Sequence, residues 1–278
     1  MYRQVKHNEI VNAIQCISND GYAILPEYLQ PKTIEKLATL VEKRYCDQTG
    51  KKMTGVPARD ANDKIVYNVH SIDKLFIDIL TTKPVETIAK DFLNDQFYRF
   101  LDQDKPNYVL TYYNARSSGD ALDLHIDSGV PFIGEHPIMM QFVFLLEDSN
   151  ASNGCTVIVP KSHQSGTYTD RSVNLDELLK LEGKKGDLII WDSRTWHGTI
   201  ANKSGNSRWA LVATLSRWWL KQSMNIPKTI SNELYRELSD AQKLLLGFCS
   251  IPPSDPFERV NTKTGYDFLK PNVGDYEL

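Results

Sequence analysis

The chain has few cysteines, few histidines and no excess of either charge. Its four cysteines (Cys16, Cys46, Cys155, Cys249) are scattered through 278 residues without Cys-x-x-Cys spacing. That pattern excludes a disulfide framework and a zinc knuckle, so reduced thiols and a cytoplasmic location are expected. A formal net charge of -3, with Lys184-Lys185 as the longest basic cluster, gives no basic stripe for a nucleic acid. No stretch long enough to span a bilayer is free of charges, and no apolar run follows Met1 to His7. Neither a membrane span nor a signal peptide is therefore expected. Internal repeats and low-complexity segments are also missing, and oligomeric state is not readable from the sequence.

What is present is a large apolar fraction, 41% of residues, enough for one substantial core, and a single domain over 1–278 is expected. The N-terminal part, to about residue 95, reads helical. Ile10, Ile14 and Ile17 recur on one face before Gly21, Pro31 stands where a second helix begins, and helical spacing returns over Ser71 to Leu80 and Pro84 to Leu93. Tyr22 to Leu25 reads as a strand. Asp47 to Lys64 is aperiodic and polar, as in a long loop.

From about residue 96 to 220 the pattern changes to short apolar runs separated by breakers. The runs are Tyr108 to Tyr113, Leu122 to Ile126, Ile138 to Leu146, Cys155 to Val159, Leu188 to Trp191, His197 to Ala201 and Trp209 to Leu215. Helices return at about 225–250, with a capping box at Ser239 and Gln242 and a stop at Gly247. Helices flanking short strands predict an α+β fold built on a double-sheet jelly roll.

Three features carry chemistry. In Leu124-His125-Ile126-Asp127, residues two apart on a strand share a face, so His125 and Asp127 can reach one ion. Alone this pair means little, since a chain with six histidines produces one readily. The second feature is Gly186-Asp187-Leu188-Ile189-Ile190-Trp191-Asp192-Ser193-Arg194-Thr195-Trp196-His197-Gly198-Thr199, in which a turn feeds a buried strand, a short loop and a histidine. Two histidines and one carboxylate form the facial triad of non-haem iron(II) oxygenases, which leaves coordination sites open. The third is Arg208, whose fork suits the far carboxylate of a dicarboxylate, with the Thr199 hydroxyl as a second donor.

These residues, with Asp20-Gly21-Tyr22, Leu145-Leu146-Glu147-Asp148, Asn153-Gly154-Cys155-Thr156-Val157-Ile158-Val159-Pro160-Lys161-Ser162-His163 and Ser207-Arg208-Trp209-Ala210-Leu211, resemble the phytanoyl-CoA dioxygenase family of Fe(II)- and 2-oxoglutarate-dependent oxygenases over roughly residues 18 to 250. Lys161 departs from the family's usual glycine, in a loop read as structural. The resemblance implies a double-stranded β-helix, cupin-like core. It implies His125, Asp127 and His197 as metal ligands, and Arg208 and Thr199 as the anchor for the 2-oxoglutarate carboxylate. It implies Tyr112 as a co-substrate contact, with Gln141 and Val143 as weaker candidates for the same wall. The implied cofactors are Fe(II), 2-oxoglutarate and O2, with succinate and CO2 released and a small-molecule substrate hydroxylated. Desaturation or ring closure stays open beside hydroxylation, whereas halogenation is not expected, because the related halogenases lack the carboxylate that Asp127 supplies.

Several residues read as bystanders. His163 reads as a loop histidine bonded to backbone; His7, His70 and His136 read as solvated; Asp192 and Arg194 read as a pair. Trp209, Trp218 and Trp219 read mainly as core, while Trp196 is divided evenly between core and substrate cleft, as is Tyr108. Arg217 reads as a surface or salt-bridge residue, and Cys155 as a small buried hydrophobe. Two rivals stay open on the sequence: a different jelly-roll metalloenzyme (an isomerase or a cofactor-free dioxygenase), and a non-catalytic scaffold.

Overall fold

The computed structural model describes residues 1–49, 64–96, 105–170 and 172–248. The expected Asp47 to Lys64 loop falls mostly outside them, as do Cys249 and Pro252-Pro253. Helix α1 (His7–Asp20) buries Ile10, Ala13 and Ile17 and ends on Gly21. There a φ of 90° lets the Gly21 N–H close back on the Ile17 carbonyl. Strand β1 (Tyr22–Leu25) follows, then α2 (Pro31–Thr49) with proline at its first position, and β2 (Lys64–Val66). The helical pattern expected over 71–80 resolves into a short α3 (Lys74–Asp78) between two 3-10 turns, and α4 (Lys83–Leu93) completes the layer.

Eight strands then run β3 (Tyr108–Ser117), β4 (Leu122–His125), β5 (Met139–Leu145), β6 (Thr156–Ile158), β7 (Leu179–Leu181), β8 (Leu188–Asp192), β9 (His197–Thr199) and β10 (Ala210–Arg217). They form two antiparallel sheets, β1-β8-β5-β10-β3-β2 and β4-β9-β6-β7, in the arrangement of a jelly roll. Helices α5 (Asn232–Glu237) and α6 (Asp240–Leu245) close the described chain, the latter capped by the Ser239–Gln242 box. No helix among the described residues is long and apolar enough to cross a membrane.

Strand alternation sorts the large sheet into two faces. Met140, Phe142 and Phe144 of β5, Leu188 and Ile190 of β8 and Leu211, Ala213 and Leu215 of β10 pack under the helices. Their neighbours Gln141, Val143, Trp191, Ala210, Val212 and Thr214 point the other way, into a cavity. A bulge where β10 pairs β3, between Thr214 and Leu215, changes the parity of β3. Tyr108 therefore goes into the helix-covered core, while Tyr112, four residues on, stays on the cavity side. Of the two readings open for Tyr108 on the sequence, core and substrate cleft, the bulge leaves the core.

Candidate metal centre and co-substrate pocket

Strand β4 pairs β9 with His125 directly opposite His197, after an irregularity in β4 that aligns the two. Strand β4 ends at His125, so Asp127 is not on the strand as the two-residue spacing implied. It lies in the turn that follows, where its N–H donates to the Ser193 carbonyl at 2.8 Å. The carboxylate nonetheless arrives beside both rings. Asp127 Oδ2 is 3.2 Å from His197 Nε2, Oδ1 is 3.6 Å from His125 Nε2, and the ring centroids stand 4.2 Å apart. Metal–ligand bonds of about 2.1 Å at right angles would put ligand atoms about 3 Å apart, so the set is close to the size an ion needs. Among the described residues, these three are the group of His, Cys, Asp and Glu side chains gathered closely enough to hold a metal.

Each ring is held by its other nitrogen. His125 Nδ1 meets the Asp123 carbonyl and His197 Nδ1 the Thr195 carbonyl, both at 2.9 Å. Donation there fixes the tautomer and turns both Nε2 lone pairs toward Asp127. The Trp191 indole N–H donates to Asp127 Oδ2 at 3.3 Å. Burial pushes the Asp127 pKa up, but His197 first and then His125 outweigh it and hold the carboxyl far below its ordinary range. Burial likewise acts to lower the His197 pKa, and Asp127 overrides it, so the net shift is upward.

The cavity beside these residues has a volume of about 690 Å³. Arg208 and Thr199 both line it, as do Tyr112, Gln141 and Val143. Arg208 is 6% exposed; its Nη1 reaches Ser149 Oγ at 3.3 Å, and its Nε is buried with no hydrogen-bond partner. Burial lowers the Arg208 pKa, yet a guanidinium stays charged in proteins. A buried cation with an unpartnered Nε beside a cavity fits an anionic ligand, and together with the three-residue cluster it fits a chelating dicarboxylate. Gln141 Oε1 accepts from Thr214 Oγ1 at 2.8 Å, which orients the amide on the same wall.

The family model of phytanoyl-CoA dioxygenase (PhyH) matches residues 17–210. The chain belongs to the phytanoyl-CoA dioxygenase family. It is 24% identical to a dioxygenase of Aspergillus fumigatus, over 84% of this chain and 76% of that protein. Among solved structures, HygX of Streptomyces hygroscopicus, bound to nickel, 2-oxoglutarate and hygromycin B, superposes with a TM-score of 0.60 at 12% identity, covering 83% of this chain and 94% of that one. The epimerase SnoN, in complex with Fe3+, alpha-ketoglutarate and nogalamycin RO, gives 0.58 at 12% identity, over 79% and 89%. These likenesses give this family member the fold of the 2-oxoglutarate oxygenases.

The family's other motifs gather behind the cluster rather than inside it. The Ser162 hydroxyl accepts from the Trp196 N–H at 2.7 Å, and His163 Nε2 meets the Ser18 carbonyl at 3.1 Å, the backbone-bonded role expected of it. Gly21 lies so close to this junction that a Cβ would come within 2.6 Å of Thr195 Oγ1. Asp192 and Arg194 form the expected pair, at 2.6 Å, and Cys155 is fully buried.

Other readings change. Trp196 does not line the cavity, its indole N–H being spent on the Thr167 carbonyl. His70 is buried rather than solvated, and Trp219 is 52% exposed rather than core. Arg217 donates to the carbonyls of Pro137 and Phe92. The cavity residues that the sequence reading missed include Trp191 and Arg116. Trp191 is the β8 partner of Gln141, and Arg116 shares strand parity with Tyr112. The first was hidden in an all-apolar run, the second by placing the end of its strand at Tyr113.

Proposed function

We propose that this protein is an Fe(II)- and 2-oxoglutarate-dependent oxygenase that hydroxylates a small molecule. The observation carrying the reading is the joining of two features in one cavity: the His125, Asp127 and His197 cluster, and the buried Arg208 with its unpartnered Nε. A different jelly-roll metalloenzyme needs the first feature and not the second; a scaffold needs neither.

In this reading His125, Asp127 and His197 would hold the ion, three protein ligands that leave room for further ones. Iron(II) with 2-oxoglutarate and dioxygen would supply the oxidising chemistry for hydroxylation there, with succinate and CO2 as co-products. The protein supplies placement. Arg208 pairs with the far carboxylate of the co-substrate, and Thr199, on the same face of β9 as His197, adds a hydroxyl. Tyr112 and Gln141 wall the co-substrate on the large-sheet side. Trp191 holds Asp127 in position and, with Val143, keeps water from that wall. The remainder of the cavity is left for substrate.

Anaerobic titration with iron(II) and 2-oxoglutarate, following the visible charge-transfer band of the chelate, tests the reading. The band is expected in wild type, absent in His197→Ala and weakened in Arg208→Ala. No band in folded, metal-loaded protein would move the assignment to another metalloenzyme or a scaffold. Once a substrate is found, product mass decides the outcome: a gained oxygen atom is hydroxylation, and lost hydrogens or an unchanged mass would replace it with ring closure, desaturation or epimerisation.

A further inference from the structure

The turn from β8 to β9 does more than lead into His197. Its Ser193 carbonyl accepts from the N–H groups of Asp127 (2.8 Å) and Ser128 (3.1 Å), and its Thr195 carbonyl takes His197 Nδ1. Asp127 and His197 therefore hang on one short turn, and Arg194 braces it. The Arg194 side chain is 3% exposed and forks onto Asp192, with Nη2 to Oδ2 at 2.6 Å and Nε to Oδ1 at 3.0 Å. Asp192 Oδ1 also accepts the Arg194 backbone N–H at 2.9 Å. The third guanidinium nitrogen, Nη1, leaves the turn. It donates to the Gly134 carbonyl at 2.6 Å and more weakly to that of Phe132 at 3.5 Å, and the Phe132 ring lies 4.6 Å from the guanidinium carbon.

Phe132 and Gly134 belong to the segment that carries the chain from Asp127 to β5. One buried guanidinium thus grips both the turn that delivers His197 and the chain that leaves Asp127, and its recorded contacts include none of the three cluster residues. We propose that Arg194 is a positioning residue for the metal centre, fixing Asp127 relative to His197 through these two grips. The inference rests on the metal-centre reading above. Only arginine fits the position. A lysine keeps the charge but has neither the planar fork for Asp192 nor a flat face for Phe132.

Cobalt(II) alone is the probe, titrated into the full chain of the wild type, Arg194→Lys and Phe132→Ala. The half-buried Phe132 side chain is truncated without emptying the core, so that variant stays informative if the buried substitution fails to fold. Affinity is measured at a temperature where circular dichroism shows each protein folded, alongside the metal-free melting temperature. Cobalt affinity is expected to fall about 10- to 100-fold in Arg194→Lys, in the range typical for groups that orient metal ligands. A smaller loss is expected in Phe132→Ala, and the visible ligand-field bands should shift in both. A lowered melting temperature with wild-type affinity and unshifted bands would overturn the proposal and leave Arg194 a structural brace. Wild-type protein that binds no cobalt would instead overturn the metal-centre reading beneath it.

Discussion

Arg208 keeps a charge where water cannot reach its Nε, and the protein offers that nitrogen no partner. Such a group gains most from an anion that completes its hydrogen bonds. Arg208→Ala is therefore expected to weaken 2-oxoglutarate binding by about 2–4 kcal/mol, roughly 30- to 1000-fold, while iron(II) affinity measured without co-substrate changes little. Parallel titrations check this, and equal losses for both ligands would mean that the arginine supports the cluster as a whole. At this scale much of the candidate site was legible. His125, Asp127, His197, Thr199 and Arg208, the residue types that ion and dicarboxylate chemistry singles out, line one cavity together with Tyr112 and Gln141, to which only the family resemblance pointed. Trp191 was not legible, since an indole in an apolar strand has the same composition whether it packs in a core or donates to a carboxylate. His70 misled in the opposite direction, as histidine composition carries no burial.

The His125, Asp127 and His197 cluster depends on how closely β4 and β9 approach. Gly198, between His197 and Thr199, has no room for a side chain: a Cβ would stand 2.5 Å from the Leu122 carbonyl oxygen, which is backbone and cannot turn aside. Gly198→Ala is expected to push the two strands apart, costing about 1–3 kcal/mol of stability and at least 10-fold in metal affinity. Thermal melting with a metal titration reads both, and a variant unchanged in either would show that the strands relax without consequence. The helices α1, α2 and α4 announced themselves through helical periodicity, and β5 and β10 as apolar runs between breakers. The strands β2 and β7, of three residues each, did not. Too few positions repeat in them, and they exist because a neighbouring strand supplies their hydrogen bonds. Bulges were equally hidden, since an extra residue leaves composition unchanged while reversing which face each later side chain meets.

Across the whole molecule, helices cover one face of the large sheet, and the small sheet closes the cavity on the other. His70 is fully buried in this assembly, joined through Nε2 to Thr229 Oγ1 at 2.8 Å, with Nδ1 unpartnered. Burial depresses its pKa to about 4. The unfolded chain, with a histidine pKa near 6.5, takes up the proton first. The stability tied to neutral His70 is thus complete above about pH 6.5 and is lost as pH falls toward 4, by about 3 kcal/mol at most. Urea midpoints measured at about pH 7 and about pH 4.5 should show this loss, and His70→Gln should remove that share of it. An identical pH profile in the variant would assign the acid sensitivity to other groups. The jelly roll itself was legible because its strands and breakers alternate over a long span, whereas the position of His70 depended on how distant segments pack.

The contact between Trp191 and Asp127 has an optical consequence. An indole bonded to the carboxylate, with its ring centroid 5.0 Å from that of His197, is within quenching range of any paramagnetic ion held by the cluster. Its emission should dim as iron(II) enters and show no further change at saturation. Trp191→Phe should lose most of the change, because the other four tryptophans of the chain contribute a nearly constant background. If the loss of emission persists in that variant, the reporter is another tryptophan; if it vanishes, the protein carries a built-in gauge of its own occupancy, readable without substrate, co-substrate or turnover.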